Sequence, residues 1–523
     1  MPSAHLRNVL FIMCDQLRFD HLGCNGHPYL RTRNIDWLAS RGVNFRNAFV
    51  QSGVCGPSRM SFYTGRYASS HGATWNSVPL PIGELTLGEY LHDSGRMLAL
   101  AGKTHWRADT AAMRRLSIEG DSALGRMLGA GGFVEIDRYD GHVEPGKESG
   151  YADYLRAHGY DSANPWNDFV TSALDEHGER VSGHRLRNIH LPARIAKEHS
   201  ETAYITDTAI DFLNARGDEP WALHLSYIKP HWPYIAPAPY HAMYTLDQCL
   251  PVSRHPDELA HQHPVLAAYR QQEENINFMR DEVIAQVRPR YTGLVQEIDD
   301  QLGRLWETME KLGRWKDTLV IFTSDHGDFL GDHWLGEKEH FYDTVQRVPY
   351  LLYDPDPAAD ARRGTREERF VEAIDTVPTV LEALGLLRRE ERVEGCSLLP
   401  LTRGDAPEAW RDAVFSELDY TFRPARLILG RGPNECKAWM VRTAEWKYVY
   451  WLDYPPQLFD LRNDAHEFFD LGSVPQFAST RAVLHDRLCE WFARQKRRTT
   501  LDYQQVQART GTDKKEGIFY GVW

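Results

Sequence analysis

The chain has 523 residues, of which 42% are hydrophobic and 25% charged, and its formal net charge at pH 7 is -13. This length and composition indicate a folded globular protein with two or three domains, or with one large α/β domain and an appendage, and exclude a disordered or fibrous chain. The acidic excess is spread along the chain and argues against a nucleic-acid-binding surface, so an anionic small substrate would need a local basic pocket.

Short apolar segments bounded by polar residues or glycine are predicted to form strands buried on both faces. They are NVLFIM at 8–13, MLALAG at 97–102, WALHLSYI at 221–228, TLVIFTS at 318–324 and PYLLYD at 349–354. Other segments have the 3.6-residue apolar spacing of helices, namely 35–42, 85–95, 201–217, 290–313 and 372–385. The alternation predicts an α/β fold with a large mixed, mostly parallel sheet flanked by helices.

The pattern changes after about residue 385, where shorter segments alternate with turn residues. We predict a main domain over 1–385 and a smaller α+β domain with an antiparallel sheet over 386–497, ending in a helix near VLHDRLCEWFARQ. The tail over 498–523 is polar but ends in large apolar residues, Ile518, Phe519, Tyr520 and Trp523. A frayed terminus is the usual alternative, but we expect this tail to take part in subunit assembly.

The cysteines and the apolar segments also indicate a compartment. The chain has seven cysteines, an odd number without C-x-x-C spacing, which is typical of reduced thiols in a cytosolic protein and excludes zinc fingers. The first apolar segment is too short for a signal peptide, and no stretch reaches the roughly 18 apolar residues of a membrane helix. We therefore expect a cytoplasmic protein without a membrane anchor.

Polar pairs follow two of the predicted strands. Asp15 and Gln16 follow the first strand, and Asp325 and His326 follow the fourth. Because ligands bind beyond the carboxyl ends of parallel strands, we expect these residues to share one divalent cation, although either pair alone is more often a helix cap. A histidine ligand favours manganese, with calcium as the alternative.

A lone cysteine, Cys55, precedes Gly-Pro-Ser-Arg in CGPSRMSFYTGRY. It could be the nucleophile of a cysteine protease or phosphatase if cations such as Arg59, Lys103 and Lys338 lowered its pKa. Pro57 argues against a phosphate-cradling loop because it removes a backbone N–H. A buried structural cysteine is the ordinary alternative.

Several motifs of this chain resemble those of one known protein family and occur in the same order. CGPSRMSFYTGRY resembles the C-x-P-S-R signature of type I sulfatases, and GKTHW, KPHWP, SDHGD and GEKEHFYDTVQRVPYLLYDP resemble further motifs of that family in the same order. The resemblance covers the whole main domain. It implies the alkaline-phosphatase-like fold of the formylglycine-dependent sulfatases and a Cys55 that a separate maturation enzyme oxidises to formylglycine, so that residue 55 also contacts the metal.

The resemblance assigns a role to each polar loop residue. The hydrated aldehyde at residue 55 would attack the sulfur with one hydroxyl and expel the inorganic anion with the other. Arg59 would steady this nucleophile, and His105 would be the base that regenerates the aldehyde. Lys103, His231 and Lys338 would contact the anionic oxygens or the leaving group. We also expect Asn76, in TWNSV, to lie in the same substrate-binding pocket.

Two departures from the family pattern refine the expected function. Gln16 and His326 replace the usual aspartate and asparagine, which resembles the subgroup of phosphonate monoester hydrolases and related oligomeric arylsulfatases. Lys103 and His105 are instead similar to sulfatases. We therefore expect sulfate monoester hydrolysis of a small anionic ester by a homo-oligomer, a dimer or tetramer; the alternatives are a phosphonate monoester or phosphodiester hydrolase and an unmodified, non-catalytic metal-binding homologue.

Overall fold

The computed structural model describes residues 6–76, 78–141, 149–386, 389–405 and 407–518. The strands, in chain order, are β1 Asn8–Asp15, β2 Val43–Phe49, β3 Leu98–Gly102, β4 Phe133–Arg138, β5 Ser172–Leu174, β6 Arg180–Ser182, β7 Ala222–Pro230, β8 Thr318–Ser324, β9 Arg347–Tyr353, β10 Thr365–Glu372, β11 Ala413–Asp419, β12 Lys437–Thr443, β13 Trp446–Trp451 and β14 Gln457–Asp460. Phe519, Tyr520 and Trp523 of the predicted assembly tail lie outside the described residues.

The α-helices alternate with the strands of the first two thirds of the chain and become sparser afterwards. They are α1 Arg33–Arg41, α2 Cys55–Thr64, α3 Ala68–His71, α4 Leu87–Asp93, α5 Thr110–Arg115, α6 Ala123–Gly129, α7 Gly150–Ala157, α8 Glu201–Arg216, α9 Asp257–Ala260, α10 Pro264–Tyr269, α11 Glu273–Phe278, α12 Asp281–Lys311, α13 Asp343–Gln346, α14 Thr376–Ala383, α15 Leu399–Arg403, α16 Pro424–Ile428, α17 Ala478–Arg494 and α18 Tyr503–Arg509. None of the helices in the described ranges is long and apolar enough to cross a membrane.

The main sheet has the strand order β10-β2-β9-β8-β1-β7-β3-β4. Strand β9 runs antiparallel to both of its neighbours, and the other paired strands of this sheet run parallel in the described part of the chain. The prediction of a large mixed, mostly parallel sheet is confirmed. Strands β2, β4 and β10 are absent from the sequence-based prediction because polar residues interrupt their apolar runs.

The centre of the sheet is formed by the three strands that the sequence marks most clearly. Every residue of β1, β7 and β8 is buried, because helices cover both faces of the sheet there. These strands are parallel to one another, so their carboxyl ends lie at the same edge. The predicted site residues that follow them are thereby brought to that edge.

Helix α12 is longer than the sequence pattern predicts. The apolar spacing predicts a start at Arg290, after the proline, but the helix begins at Asp281 and continues through Pro289. The preceding turns also carry an apolar face, since Val283, Ile284 and Val287 are all buried. Burial of that face outweighs the loss of one backbone hydrogen bond at the proline.

The second sheet is antiparallel and has the order β11-β12-β13-β14, which confirms the predicted smaller sheet in the C-terminal region. It contacts the segment that precedes Cys55: Glu417 N donates to Gln51 O at 2.8 Å, and the Ser416 hydroxyl donates to Val50 O. The small sheet therefore supports the loop that leads into α2. The domain boundaries at 385 and 497 stay a prediction.

Candidate active site

The predicted metal residues lie side by side at the carboxyl edge of the sheet. Strands β1 and β8 pair in register, with Cys14 opposite Ser324, so Asp15 and Asp325 follow at neighbouring positions. The backbone N–H of Gln16 donates to Asp325 Oδ1 at 3.0 Å and holds the two strand ends together. Register in the sheet thus sets the separation of the two carboxylates.

Four potential ligand groups converge at this point. Asp15, Cys55, Asp325 and His326 each present one ligand atom, and these atoms lie within 4.8 Å of one another. All four residues have zero exposure. Two carboxylates, an imidazole and residue 55 form a donor set that suits a divalent cation.

The tautomer and the charge of His326 fit a cation beside it. Its Nδ1 lies 2.8 Å from Gly327 O and donates to it, which leaves Nε2 facing the carboxylates, 3.6 Å from Asp325 Oδ1. Burial would lower the pKa of His326, but Asp325 and Cys55 raise it to about 9. The pocket therefore stabilises positive charge at Nε2, where a bound cation would supply it.

Gln16 lies beside this cluster with its side chain already paired. Its amide nitrogen donates to Asp328 Oδ2 at 2.5 Å, and its amide oxygen accepts from Lys338 Nζ at 3.1 Å. The backbone of Gln16 has φ 70°, a left-handed conformation that is uncommon outside glycine. As a ligand, its oxygen would be shared with Lys338.

Cys55 is the first residue of α2, and all ten residues of this helix are buried. Its Sγ atom lies 3.1 Å from both His326 Nε2 and Lys338 Nζ, and 3.7 Å from Asp15 Oδ1. Burial would raise the pKa of the Cys55 thiol, but Lys338, His326 and Lys103 outweigh it and hold the pKa well below its ordinary value. The side chain at residue 55 therefore lies in an electropositive, water-excluded site.

Arg59 lies on α2 and forms hydrogen bonds with residues at the carboxyl ends of the central strands. It is fully buried, and its guanidinium donates to Asp325 Oδ2 at 2.7 Å, Asp15 Oδ2 at 3.1 Å, Lys103 O at 2.9 Å and Ser226 Oγ at 2.8 Å. Its charge partly compensates the two desolvated carboxylates. It therefore fixes the carboxylates in position rather than lying free for a substrate.

Lys103 reaches the site through a close approach of β3 to β7. Gly102 ends β3 with φ 104°, and a Cβ atom there would lie 2.0 Å from Ser226 O, so this position requires glycine. Lys103 Nζ lies 2.6 Å from Asp15 Oδ2. Burial would raise the pKa of Asp15, but Lys103 and the neighbouring cations hold it well below its usual range.

His231 and Lys338 form a pair on the other side of Cys55. The Nδ1 atom of His231 donates to Trp232 O at 2.7 Å, so its Nε2 is the acceptor for Lys338 Nζ at 2.9 Å. Burial and the adjacent Lys338 lower the pKa of His231 to about 3, which makes it neutral at physiological pH. The pair offers one ammonium and one imidazole close to residue 55.

Asn76 and His105 complete the set of predicted residues. Asn76 Oδ1 accepts from the Gly56 N–H at 2.7 Å, next to Cys55, and its own NH2 group has no partner among the described residues. His105 helps to lower the pKa of the Cys55 thiol, and its backbone has φ 55°. All the predicted site residues therefore lie around Cys55 and the two aspartates.

Two further groups support these side chains, and the sequence pattern marks neither of them. Asp140 follows β4 and accepts from the backbone N–H groups of Thr104 and His105, at 2.9 and 3.1 Å. The apolar pattern does not predict β4. The sequence therefore gives no indication that Asp140 lies at the end of a strand.

The second of these groups is a buried ion pair below His231. Lys229 Nζ lies 3.1 Å from Glu201 Oε1 and donates to Pro233 O at 2.9 Å. The motif KPHWP contains Lys229, but its position before a proline gave no sign that it is buried. Glu201 begins α8, more than twenty residues earlier in the chain, so local spacing could not have linked the two.

Comparison with known families agrees with the geometry. The Sulfatase family matches residues 7–386, and the family described as N-sulphoglucosamine sulphohydrolase, C-terminal, matches residues 331–494. Together these matches extend over most of the chain.

Individual relatives cover nearly the whole length. The multifunctional alkaline phosphatase superfamily protein PehA of Trinickia caryophylli is 34% identical over 95% of this chain and 97% of its own. The arylsulfatase of Clostridium perfringens is 27% identical over 90% of this chain and 91% of its own. The crystal structure of the phosphonate monoester hydrolase of Agrobacterium radiobacter has a TM-score of 0.81 and 29% identity, and covers 93% of this chain and 95% of its own.

Proposed function

Because the chain belongs to the sulfatase family of the alkaline phosphatase superfamily and has its alkaline-phosphatase-like fold, we propose that it hydrolyses sulfate monoesters of arylsulfatase type. The observation that carries this proposal is the position of Cys55, whose Sγ lies 3.1 Å from both Lys338 Nζ and His326 Nε2 in a buried site. A tetrahedral anion over residue 55 would meet cationic groups on several sides. The substrate is then a small anionic ester.

Residue 55 and the cation would supply the nucleophile. We propose that a maturation enzyme converts Cys55 to formylglycine, and that the metal is held by Asp15, Gln16, Asp325 and His326 together with residue 55. When bound, a divalent cation, with manganese favoured over calcium, would act as a Lewis acid that raises the acidity of the aldehyde hydrate and lets it attack sulfur. The second hydroxyl of the hydrate allows inorganic sulfate to leave by elimination.

The protein side chains would orient the ester and move the protons. Lys103 and Lys338 bind the non-bridging oxygens, where each charged donor typically contributes a factor of about 10²–10³ to kcat. His231 stays neutral and lies next to the leaving group. Asn76 donates through its free NH2 group. His105, whose backbone is held by Asp140, is the base that accepts the proton when the anion is expelled.

A second candidate function is the hydrolysis of phosphonate monoesters or phosphodiesters with the same nucleophile. Gln16 and His326 favour it by resemblance, and it is in keeping with a structural relative that is a phosphonate monoester hydrolase. Lys103 and His105 favour the sulfate instead. These esters share one tetrahedral anionic centre, so activity on both is compatible with the site.

Comparison of two chromogenic esters separates the two candidates. We expect a larger kcat/KM for p-nitrophenyl sulfate than for p-nitrophenyl phenylphosphonate, and a much larger value for the phosphonate would reverse the ranking. Intact-mass measurement tests the nucleophile, because oxidation of the thiol to the aldehyde lowers the mass by about 18 Da. An unconverted and inactive protein from a host that contains the maturation enzyme would support the non-catalytic, metal-binding alternative.

The oligomeric state and the cellular compartment of the protein are also proposals. We propose a cytoplasmic homo-oligomer, a dimer or tetramer, in which the tail over 498–523 contacts a neighbouring subunit. Light scattering of the full chain and of a chain ending at residue 497 tests this. A full-length monomer would contradict it, and so would a truncated chain of unchanged oligomeric state.

A further inference from the structure

A groove with a volume of about 730 Å³ lies between segments 184–190 and 273–290. The second segment contains α11 and the first turns of α12. The roles assigned above do not use any residue of this groove. Its two walls are, however, each attached to a loop of the candidate active site.

The first wall reaches the site through aromatic contacts. The ring of His184, which lines the groove, lies 5.9 Å from the ring of Trp232, and Trp232 in turn stacks on His231 at 5.0 Å. One tryptophan therefore separates the groove from a residue that we place at the leaving group.

The second wall is attached to the loop of Lys338. Asn275, in α11, accepts through Oδ1 from the backbone N–H of Gly336 at 2.8 Å. Phe278 also lies directly against Gly336, since a Cβ atom added there would lie 2.3 Å from its ring. The two walls of the groove thus adjoin the loops that present His231 and Lys338 to residue 55, through Trp232 on one side and through α11 on the other.

The lining of the groove carries unpaired positive charge. Arg185, Arg187 and Arg290 all line it, and none of them makes an ion pair with another described residue. Burial lowers the pKa of Arg290, and its Nε atom is buried without a hydrogen-bond partner in the described part of the chain, as is Gln286 Oε1. An anion bound in the groove could therefore pair with the partly desolvated guanidinium of Arg290.

The acidic residues of the groove do not cancel this charge. Glu282 lies 3.6 Å from Arg280 and is compensated within the wall. Glu273 is then one carboxylate among lining residues that include three unpaired arginines. The chain as a whole has a net charge of -13, so this groove has a local charge of the opposite sign, which favours an anionic ligand.

We propose that this groove is a second anion-binding site, which takes a carboxylate, sulfate or phosphate carried by the leaving-alcohol part of the substrate. This rests on the proposed hydrolysis of an ester at residue 55. The scissile group would lie between Lys338 and Lys103 while the remote anion pairs with Arg187 and Arg290. The preferred substrates are therefore esters with a second negative charge.

A matched pair of substrates tests this site. One is the sulfate ester of p-hydroxyphenylbutyric acid, and the other is its methyl ester, which lacks the remote charge. We expect the wild type to favour the acid by about tenfold in kcat/KM, the size of one hydrogen bond to a charged group. The ratio should fall close to one in Arg187→Gln and in the double variant Arg187→Gln/Arg290→Gln, and the preference should weaken as salt is raised.

The control variant is Arg497→Gln/Arg498→Gln, which removes the same charge as the double variant from two exposed positions where the smaller domain meets the tail. It should keep the wild-type ratio. The same ratio in the wild type, in Arg187→Gln and in the Arg187→Gln/Arg290→Gln variant overturns the groove proposal and leaves the proposed hydrolysis intact. If the wild type cleaves neither ester, the proposed sulfatase activity fails, and calorimetry of p-hydroxyphenylbutyrate then decides on the groove: binding about tenfold weaker in the double variant supports it, and equal binding overturns it.

Discussion

Lys103 and Asp15 form a buried ion pair in which Nζ lies 2.6 Å from Oδ2. Asp15 is at the same time a candidate metal ligand, so a cation there would compete with Lys103 for this carboxylate. The ammonium would then be released towards an anion bound over residue 55. Lys103 can therefore pair with Asp15 in the metal-free site and with the bound anion in the substrate complex.

Replacement of Lys103 tests its contact with the sulfate group. We expect Lys103→Met to lower kcat/KM for p-nitrophenyl sulfate by about 10²-fold, since one preorganised charged donor is lost. The loss for p-nitrophenyl phenylphosphonate should be smaller, because Lys103 is one of the residues in which the chain resembles the sulfatases and not the phosphonate monoester hydrolases. Equal losses on both esters would show that Lys103 acts through Asp15 and does not select sulfate.

Lys229 is expected to position His231. Its Nζ lies 3.1 Å from Glu201 Oε1 and donates to Pro233 O, and the two charged residues are only 4% and 2% exposed. Lys229→Met should lower kcat by about 10–100-fold because a small displacement of His231 misplaces the leaving group. It should also lower the unfolding temperature, because Glu201 is left charged and unpaired.

The double variant Lys229→Met/Glu201→Gln separates positioning from stability. It no longer contains the isolated buried charge, so its unfolding temperature should recover towards that of the wild type. Its kcat should stay low because the contact with Pro233 O is still missing. If thermal stability and kcat recover together, Lys229 has only a structural role.

The side chain of residue 55 is expected to be essential for turnover and not for folding. Cys55→Ala should leave no measurable hydrolysis of either ester and an unfolding temperature within a few degrees of the wild type. Cys249→Ala is the matched control, since Cys249 is also buried but lies outside the site. Measurable turnover by Cys55→Ala would refute residue 55 as the nucleophile.

Removal of metal should abolish hydrolysis reversibly. After dialysis against a chelator we expect no turnover, with Mn²⁺ restoring more activity than Ca²⁺. Gln16→Ala should require a higher Mn²⁺ concentration for half-maximal recovery, by about tenfold. An unchanged requirement would mean that Gln16 only anchors Lys338 and Asp328, which its side chain contacts.

Stability should depend on pH through Glu297, a buried carboxyl group that interacts with the Lys229–Glu201 ion pair. Glu297 on α12 is 1% exposed, and burial raises its pKa from 4.5 to about 7. Between these values the folded chain holds a proton that the unfolded chain releases, so stability falls as pH rises, by at most about 3 kcal/mol. Glu297→Gln should remove this loss.

The measurement is the unfolding free energy from urea titrations at pH 5 and pH 8. The wild type should lose more stability over this interval than Glu297→Gln does. Glu307→Gln, an exposed carboxyl on the same helix, should behave like the wild type. Parallel pH profiles for wild type and Glu297→Gln would show that Glu297 keeps an ordinary pKa.

The local pattern was sufficient for the strands that form the centre of the fold. Segments such as NVLFIM and TLVIFTS are apolar at every position because helices cover both faces, and they form β1 and β8 almost to the residue. Strand β2, with the sequence VNFRNAF, could not be recognised in this way. The reversed direction of β9 was equally out of reach, because strand orientation depends on pairing between distant segments.

The sequence by itself determined that Asp15, Lys103, His231 and Asp325 would lie at one edge. They follow predicted strands of an α/β chain, and the carboxyl ends of parallel strands share an edge, whereas Cys55 was expected beside them only through the family resemblance. Only the tertiary structure decided the burial of Lys229 against Glu201, the neutral charge of His231 and the cationic groove beside it. Those properties depend on distances and on desolvation, which arise from side chains far apart in the chain and leave no trace in local spacing.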